Sequence, residues 1–480
     1  MTAAPTAFTP QRAVAPLRAF GWSANAHTLE ANPHWLPAPD PAALDAIPGD
    51  DGAPLIGTTL RQLKDPIGFA EQMTARFGPV WRNRSFGSRH VALMGPDANE
   101  LVLFDRERLF SSEQGWGPML NLLFPRGLML MDFEAHRADR KTLSVAFKPE
   151  PMRHYAAALD AGIAARVEQW LGTDFRFYPA IKQLTLDLAA TSFLGLPWGP
   201  EADRVNRAFV DMVQASIGIV RRPLPFTKMG RGVAGRRFLI DYFTPMVATR
   251  RASEDGDDIF SHIARARDDA GEYLSVDGIV DHMNFLMMAA HDTITSSLTS
   301  LVWLLASHPE WQERLAEEVA AVAPAGTTLD AATLNKLELT EMAFKEALRL
   351  IPPVPSLPRR ALRDFDFGGY HIPAGTGVGI NPAYTHMMAE HWPEPERFEP
   401  LRFTPEASRA RHKYAWVPFG GGAHMCLGLH FATMQTRIFI AHALRRGRFR
   451  VAEGYAPSWQ MWPIPQPRDG LPLRFDTLPA

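Results

Sequence analysis

A mainly α-helical fold with a small β-rich part follows from three features of the sequence. Apolar residues recur at the helical period through most of the chain, strand-like segments are few and gathered in two places, and no linker or repeat divides the 480 residues. Helices are predicted over residues 134–146, 152–172, 180–194, 279–307, 309–322, 335–350 and 429–444. Pro309 stands just inside the start of its helix, where a missing N–H is no loss, with Ser307 and His308 in the cap region. Strands are predicted over 79–84 and 90–94, and later over 366–367, 371–372 and 377–380, with Gly368-Gly369 as a tight turn. Between Pro352 and Pro418 proline and arginine are frequent and no long period shows. Length alone suggests about three domains, but no Gly/Ser run or block of like charge interrupts the chain after residue 50. One domain over residues 46–480 is expected, preceded by an arm over residues 1–45 that is partly disordered or wraps the domain.

Composition narrows the function. With 46% hydrophobic residues the chain can bury a large core, and a formal charge of −2 gives no basis for a nucleic-acid or membrane-surface partner. The apolar stretches at 188–196 and 283–290 are too short to span a bilayer and read as buried helices. Residues 1–29 carry Arg12 and Arg18 and no acidic residue, but Pro5, Pro10 and Pro16 would break an amphipathic targeting helix. No apolar core for a secretory signal is present there either, so a cytoplasmic monomer is the expectation. Cys426 is the only cysteine, which rules out an intramolecular disulfide. Taken alone, a single cysteine is more often a small buried hydrophobe than a ligand. Its neighbours reverse that reading.

Cys426 lies in Pro418-Phe419-Gly420-Gly421-Gly422-Ala423-His424-Met425-Cys426-Leu427-Gly428, immediately before a predicted helix. Consecutive glycines let a backbone approach a flat ligand closely and adopt positive φ. The free amides and dipole of a helix start stabilise a thiolate, and the N–H groups of Leu427 and Gly428 are natural donors to it.

Phe419-x-x-Gly422-x-x-x-Cys426-x-Gly428 resembles the haem-binding signature of the cytochrome P450 family. The resemblance implies a cytochrome P450-like single-domain fold, haem b as cofactor, Cys426 as the thiolate ligand to the iron, and Phe419, Gly420 and Gly428 in the cofactor-binding loop. One departure is visible: the family usually has arginine two residues before the cysteine, facing a haem propionate, and this chain has His424. Histidine can also donate to a carboxylate, in a pH-sensitive way.

Other segments agree in the expected order. Glu346 and Arg349 stand at i and i+3 of a predicted helix, which in isolation is an ordinary solvated pair. The resemblance implies a buried Glu-Arg-Arg network that locks the proximal side of the pocket, with Arg397 of Pro395-Glu396-Arg397-Phe398 as its third member. Met287-Met288-Ala289-Ala290-His291-Asp292-Thr293, otherwise a polar step on a long helix, resembles the family's oxygen-activation motif. Small Ala289 leaves room for dioxygen, Thr293 is placed to hydrogen-bond it, and Asp292 to relay protons from solvent. His291 is assigned no role. His136 and Arg140, at i and i+4, resemble the helix pair that holds the propionates, and Arg359, preferred over Arg360, resembles a further propionate partner.

Helical phase then places Phe285 and Met288 near the substrate side, beside the apolar 116–130 segment with Met119 and Phe124. Val354, Leu357 and Met461 complete the candidate pocket. An apolar small molecule of steroid, terpenoid, fatty-acid or aromatic type is expected, hydroxylated with O2. No flavin or dinucleotide fingerprint occurs in the chain, so a separate ferredoxin-type donor is expected to supply electrons. Two rivals are a peroxide-driven haem-thiolate enzyme, which usually lacks the acid-alcohol pair, and a non-catalytic haem sensor, which needs neither that pair nor an apolar pocket.

Overall fold

Helix dominates a computed structural model that describes residues 34–54, 56–216, 218 and 220–478. The helices framing the site are α1 (Pro96–Phe104), α2 (Glu113–Leu120), α3 (Phe133–Leu143), α4 (Pro149–Trp170), α5 (Phe177–Leu194), α6 (Pro200–Ser216), α7 (Lys228–Ala252), α8 (Val276–Ser307), α9 (Pro309–Val322), α10 (Glu338–Leu350) and α11 (Leu429–Arg446). Each helix predicted from periodicity forms. The helix expected at 335–350 starts later, at Glu338, and is preceded by a separate short helix, Ala331–Leu334, which Asp330 caps by accepting from Thr333 N. The helix expected at 134–146 ends early in a tighter turn, Ser144–Phe147.

Burial explains the longest element. The Ser275 side chain accepts from Gly278 N and caps α8, whose Met283, Leu286, Met287, Ile294, Leu298 and Leu301 are all buried. A helix that is apolar nearly all round belongs in the middle of a protein, and α8 packs against α5, α7 and α10. Periodicity did not single out α6 and α7. Pro245 lies inside α7, which also carries glycines near its start, so its helicity rests on packing against α6 rather than on propensity.

The strands predicted at 79–84, 90–94 and 377–380 join others in one six-stranded sheet, while those at 366–367 and 371–372 pair with each other in a separate two-stranded one. β1 (Gly49–Asp50), β2 (Val80–Ser85), β3 (Ser88–Leu93), β4 (Phe110–Ser111), β5 (Leu357–Ala361) and β6 (Gly377–Ile380) are arranged in the order β1-β2-β3-β6-β5-β4. β3 and β6 run parallel in the register Val91↔Val378, and β6 pairs antiparallel with β5 in the register Arg359↔Val378. A hairpin joins Phe365–Phe367 to Tyr370–Ile372 through Gly368 and Gly369, both at positive φ as a tight turn requires. Of the expected arm, residues 34–45 lie against the body, and Leu44 joins Ile47, Val80 and Val91 in the core over the sheet. Among the described residues, no helix is long and apolar enough to cross a membrane.

Candidate active site

The loop before α11 is held by its own backbone. Cys426 N donates to Phe419 O at 2.9 Å, and Gly420 and Gly422 have φ of 70° and 58°. Gly422 is required for another reason as well: a Cβ there would lie 2.2 Å from Leu103 O at the end of α1. The glycine run therefore serves close packing on α1 at that position, besides any approach to a ligand. Gly428 caps α11 and its amide donates toward the Cys426 thiol. Cys426 is solvent-accessible although protein atoms crowd around its thiol. Burial raises its pKa, while the Gly428 amide and the Arg140 cation pull it down.

Four residues expected near a propionate come together around this cysteine. The His136 and His424 rings lie 4.0 Å apart, joining α3 to the loop. Burial and then nearby cations lower both, His136 to about 4 and His424 to about 2, with Arg140 acting on the first and Arg359 on the second. Arg359 on β5 is buried, and among the described residues its guanidinium bonds only its neighbour's carbonyl, Pro358 O, at 2.9 Å. Burial lowers its pKa to about 10, opposed by Asp132 and Asp105. His136 Nε2 is buried without a hydrogen-bond partner among the described residues. Arg360 turns the other way and donates to Leu36 O at 2.7 Å.

On the opposite side, Met288, Ala289, Ala290 and Thr293 are partly accessible in the middle of the otherwise buried α8. Thr293 Oγ1 donates to Ala289 O at 2.7 Å. Asp292 does not reach solvent as expected: it is 5% exposed, 2.9 Å from Lys182 Nζ on α5 and 3.4 Å from His291 Nε2. Burial pushes its pKa up, but His291 and Lys182 outweigh that and leave it lowered. His291 is fully buried with Nδ1 2.8 Å from Met287 O. The partly exposed group here is Lys182, for which the sequence offered no signal.

The buried network needs one correction. Glu346 and Arg349 are fully buried and paired through two contacts of 2.7 and 2.8 Å. Arg397 does not complete the network: its guanidinium is 59% exposed and pairs with Glu394 and Glu399, and only its carbonyl accepts from Arg349, at 3.2 Å. Arg402 takes the place, with Nε 3.3 Å from Glu346 Oε1. Arg-Phe occurs at 397–398 and again at 402–403, and the second of these lies on the turn Pro400–Phe403 that packs against α10. Of the pocket candidates, Met119, Met288, Val354, Leu357 and Met461 are partly buried. Phe285 closes over Gly127, where a Cβ would meet its ring at 2.6 Å. Phe124 is 1% exposed and packs in the same buried cluster as Phe285.

A sequence model of the cytochrome P450 family matches residues 47–463. This chain belongs to the cytochrome P450 family. P450s are haem-thiolate monooxygenases, oxidoreductases that carry haem b. The chain is 36% identical to cytochrome P450 136 of Mycobacterium tuberculosis over 443 residues, covering 91% of this chain and 89% of the relative. It is 29% identical to taxane 10-beta-hydroxylase of Taxus cuspidata, with 83% of each covered. A retinoic acid-bound cyanobacterial CYP120A1 superposes with a TM-score of 0.83 at 30% identity, over 92% of this chain and 100% of that one. The residues of this P450 fit the cofactor. Cys426 is accessible just before a helix start, and buried His136 and Arg359 with half-buried Arg140 and His424 form a donor cluster of the kind that binds carboxylates.

Proposed function

We propose that this P450 hydroxylates an apolar, isoprenoid-type small molecule with electrons from a separate ferredoxin-type donor. The observation that carries the haem assignment is the accessible Cys426, whose thiol is crowded by protein atoms and receives the Gly428 amide at the start of α11. When bound, haem supplies the oxygen-activating chemistry of the family. In this reading Cys426 is its thiolate ligand, and Phe419, Gly420 and Gly428 shape the loop that carries it. His136, Arg140, Arg359 and His424 hold the propionates. Glu346, Arg349 and Arg402 keep the proximal side rigid.

With the cofactor bound, Thr293 would offer a hydroxyl hydrogen bond on the oxygen-binding side, and Asp292 would hold and pass on a proton beside it. Because Asp292 is buried against Lys182, protons enter from solvent at Lys182 and pass to the Asp292 carboxylate. Met288 and Ala289 line the space for substrate, with Phe285, Met119, Leu357 and Val354 around it. The turn carrying Met461 rests on α8 through Ser296 Oγ, which donates to Pro465 O at 2.7 Å. The substrate class is supported by this mostly apolar lining, and by relatives named as taxane hydroxylases and a homologous structure with retinoic acid bound.

The test is a panel of diterpenoid, retinoid, steroid, fatty-acid and simple aromatic compounds, read by the spin-state shift of the Soret band. The tightest binders are then turned over with a ferredoxin and its reductase and analysed by mass spectrometry. Isoprenoids are expected to bind tightest and gain one oxygen atom. Preference for linear fatty acids, or full turnover with peroxide alone, would refute the proposal.

A further inference from the structure

We propose that Trp35 is a positioning residue for the distal pocket: it straps α2 to the sheet and so limits how far that wall opens. This rests on the reading above that α2 borders the substrate space. With Gly115, Gly117 and Pro118 among its eight residues, α2 is a poor helix on its own. It must be held from outside.

Three contacts do this on one face. Trp35 Nε1 donates to Glu113 Oε1 at 2.8 Å, and Leu36 N donates to Gln114 Oε1 at 2.9 Å. The Trp35 ring lies over Gly117 so closely that a Cβ there would be 2.4 Å from Cζ2 and Cη2. Residues 113, 114 and 117 share that face of the helix. The strap is itself tied down, since Arg360 Nη2 on β5 donates to Leu36 O at 2.7 Å.

The far end of α2 is held independently. Arg221 donates to Met119 O at 2.6 Å and to Ser216 O, the end of α6, at 2.7 Å. Besides its own packing on β5 and the Asp132 carboxylate that accepts from Ser112 N and Glu113 N at its start, α2 is held by Trp35 and Leu36 on its outer face and by Arg221, which reaches the end of α6. Its Trp116 and Leu120 turn inward and are buried. Releasing the strap frees the outer face without touching any residue expected to meet haem.

The test uses full-length, haem-loaded protein and three variants. Trp35→Ala removes the strap. Trp35→Phe keeps a ring and loses the N–H. Gly117→Ala leaves Trp35 in the chain and puts a methyl where its ring lies, while raising the helix propensity of α2. Amide hydrogen exchange of residues 113–121 is read alongside stopped-flow dissociation of imidazole and of a bulky phenyl-substituted imidazole. In Trp35→Ala and Gly117→Ala, exchange in α2 is expected to accelerate by about tenfold, the change for losing one buried aromatic contact. The bulky azole should leave several-fold faster than from wild type, imidazole should not, and Trp35→Phe should lie between.

Unchanged α2 exchange in both Trp35→Ala and Gly117→Ala would overturn the proposal. So would faster exchange with unaltered release of the bulky azole, because the strap would then hold a wall that does not bound the pocket. Failure of the proposed function shows elsewhere, as wild-type protein that yields no oxygenated isoprenoid.

Discussion

Replacing Arg402 by alanine should destabilise this P450 much more than replacing Arg397, although both are followed by phenylalanine and lie five residues apart. Glu346 is fully buried and held by the Arg349 fork at 2.7 and 2.8 Å, by Glu399 N at 3.0 Å and by Arg402 Nε at 3.3 Å. Losing Arg402 leaves the first two partners in place, so the cost is that of one ion-pair contact, at most that of a hydrogen bond to a charged group, about 1.5–3 kcal/mol. The lower end applies, because removing Arg402 also relieves repulsion with the Arg349 and Arg411 cations. Glu346→Ala strands Arg349 without its carboxylate in the interior and should cost about 3–5 kcal/mol. Arg397→Ala removes an exposed pair and should cost about 0–1 kcal/mol. Urea midpoints of the haem-loaded variants, with haem content measured beside them, give the ranking Glu346→Ala, Arg402→Ala, Arg397→Ala from least to most stable. If Arg397→Ala matched Arg402→Ala, the assignment of the third arginine would be refuted.

Cys426→Ser should abolish the red-shifted carbon monoxide band; an unchanged band would remove Cys426 from the iron. Thr293→Ala should bind haem and substrate yet release peroxide in place of product, read as product formed per reduced nicotinamide consumed. Asp292→Asn should slow turnover, because an amide does not shuttle protons at neutral pH. Lys182→Met removes a cation that lowers the Asp292 pKa, so the acid limb of the kcat profile should move to higher pH, and an unmoved limb would count against entry through Lys182. His386 is buried with its pKa lowered to about 3, chiefly by burial and then by Arg349. Its unfolded form takes up a proton first, so stability falls as pH drops from about 6.5 toward 3, by about 1.4 kcal/mol per unit. His386 Nε2 accepts from Val417 N at 3.0 Å, so His386→Asn should lessen that slope, leaving the part due to His136 and His424, in urea midpoints taken between about pH 7 and pH 5.

The sequence by itself determined whatever depends on near neighbours. The apolar run of α8, the two glycines of the hairpin turn and the cysteine ahead of α11 were all legible, because helix period, turn geometry and helix-start amides are set within a few residues. His136 and Arg140 could be paired for the same reason. Only the tertiary structure decided which polar groups lose water. It put Arg402 against Glu346 and left Arg397 outside, brought Lys182 of α5 to Asp292 of α8, and laid Trp35 across Gly117. Arginine 397 and arginine 402 look alike in their local sequence. Desolvation depends on how distant elements pack, and a charge is kept in the interior only where that packing delivers its partner.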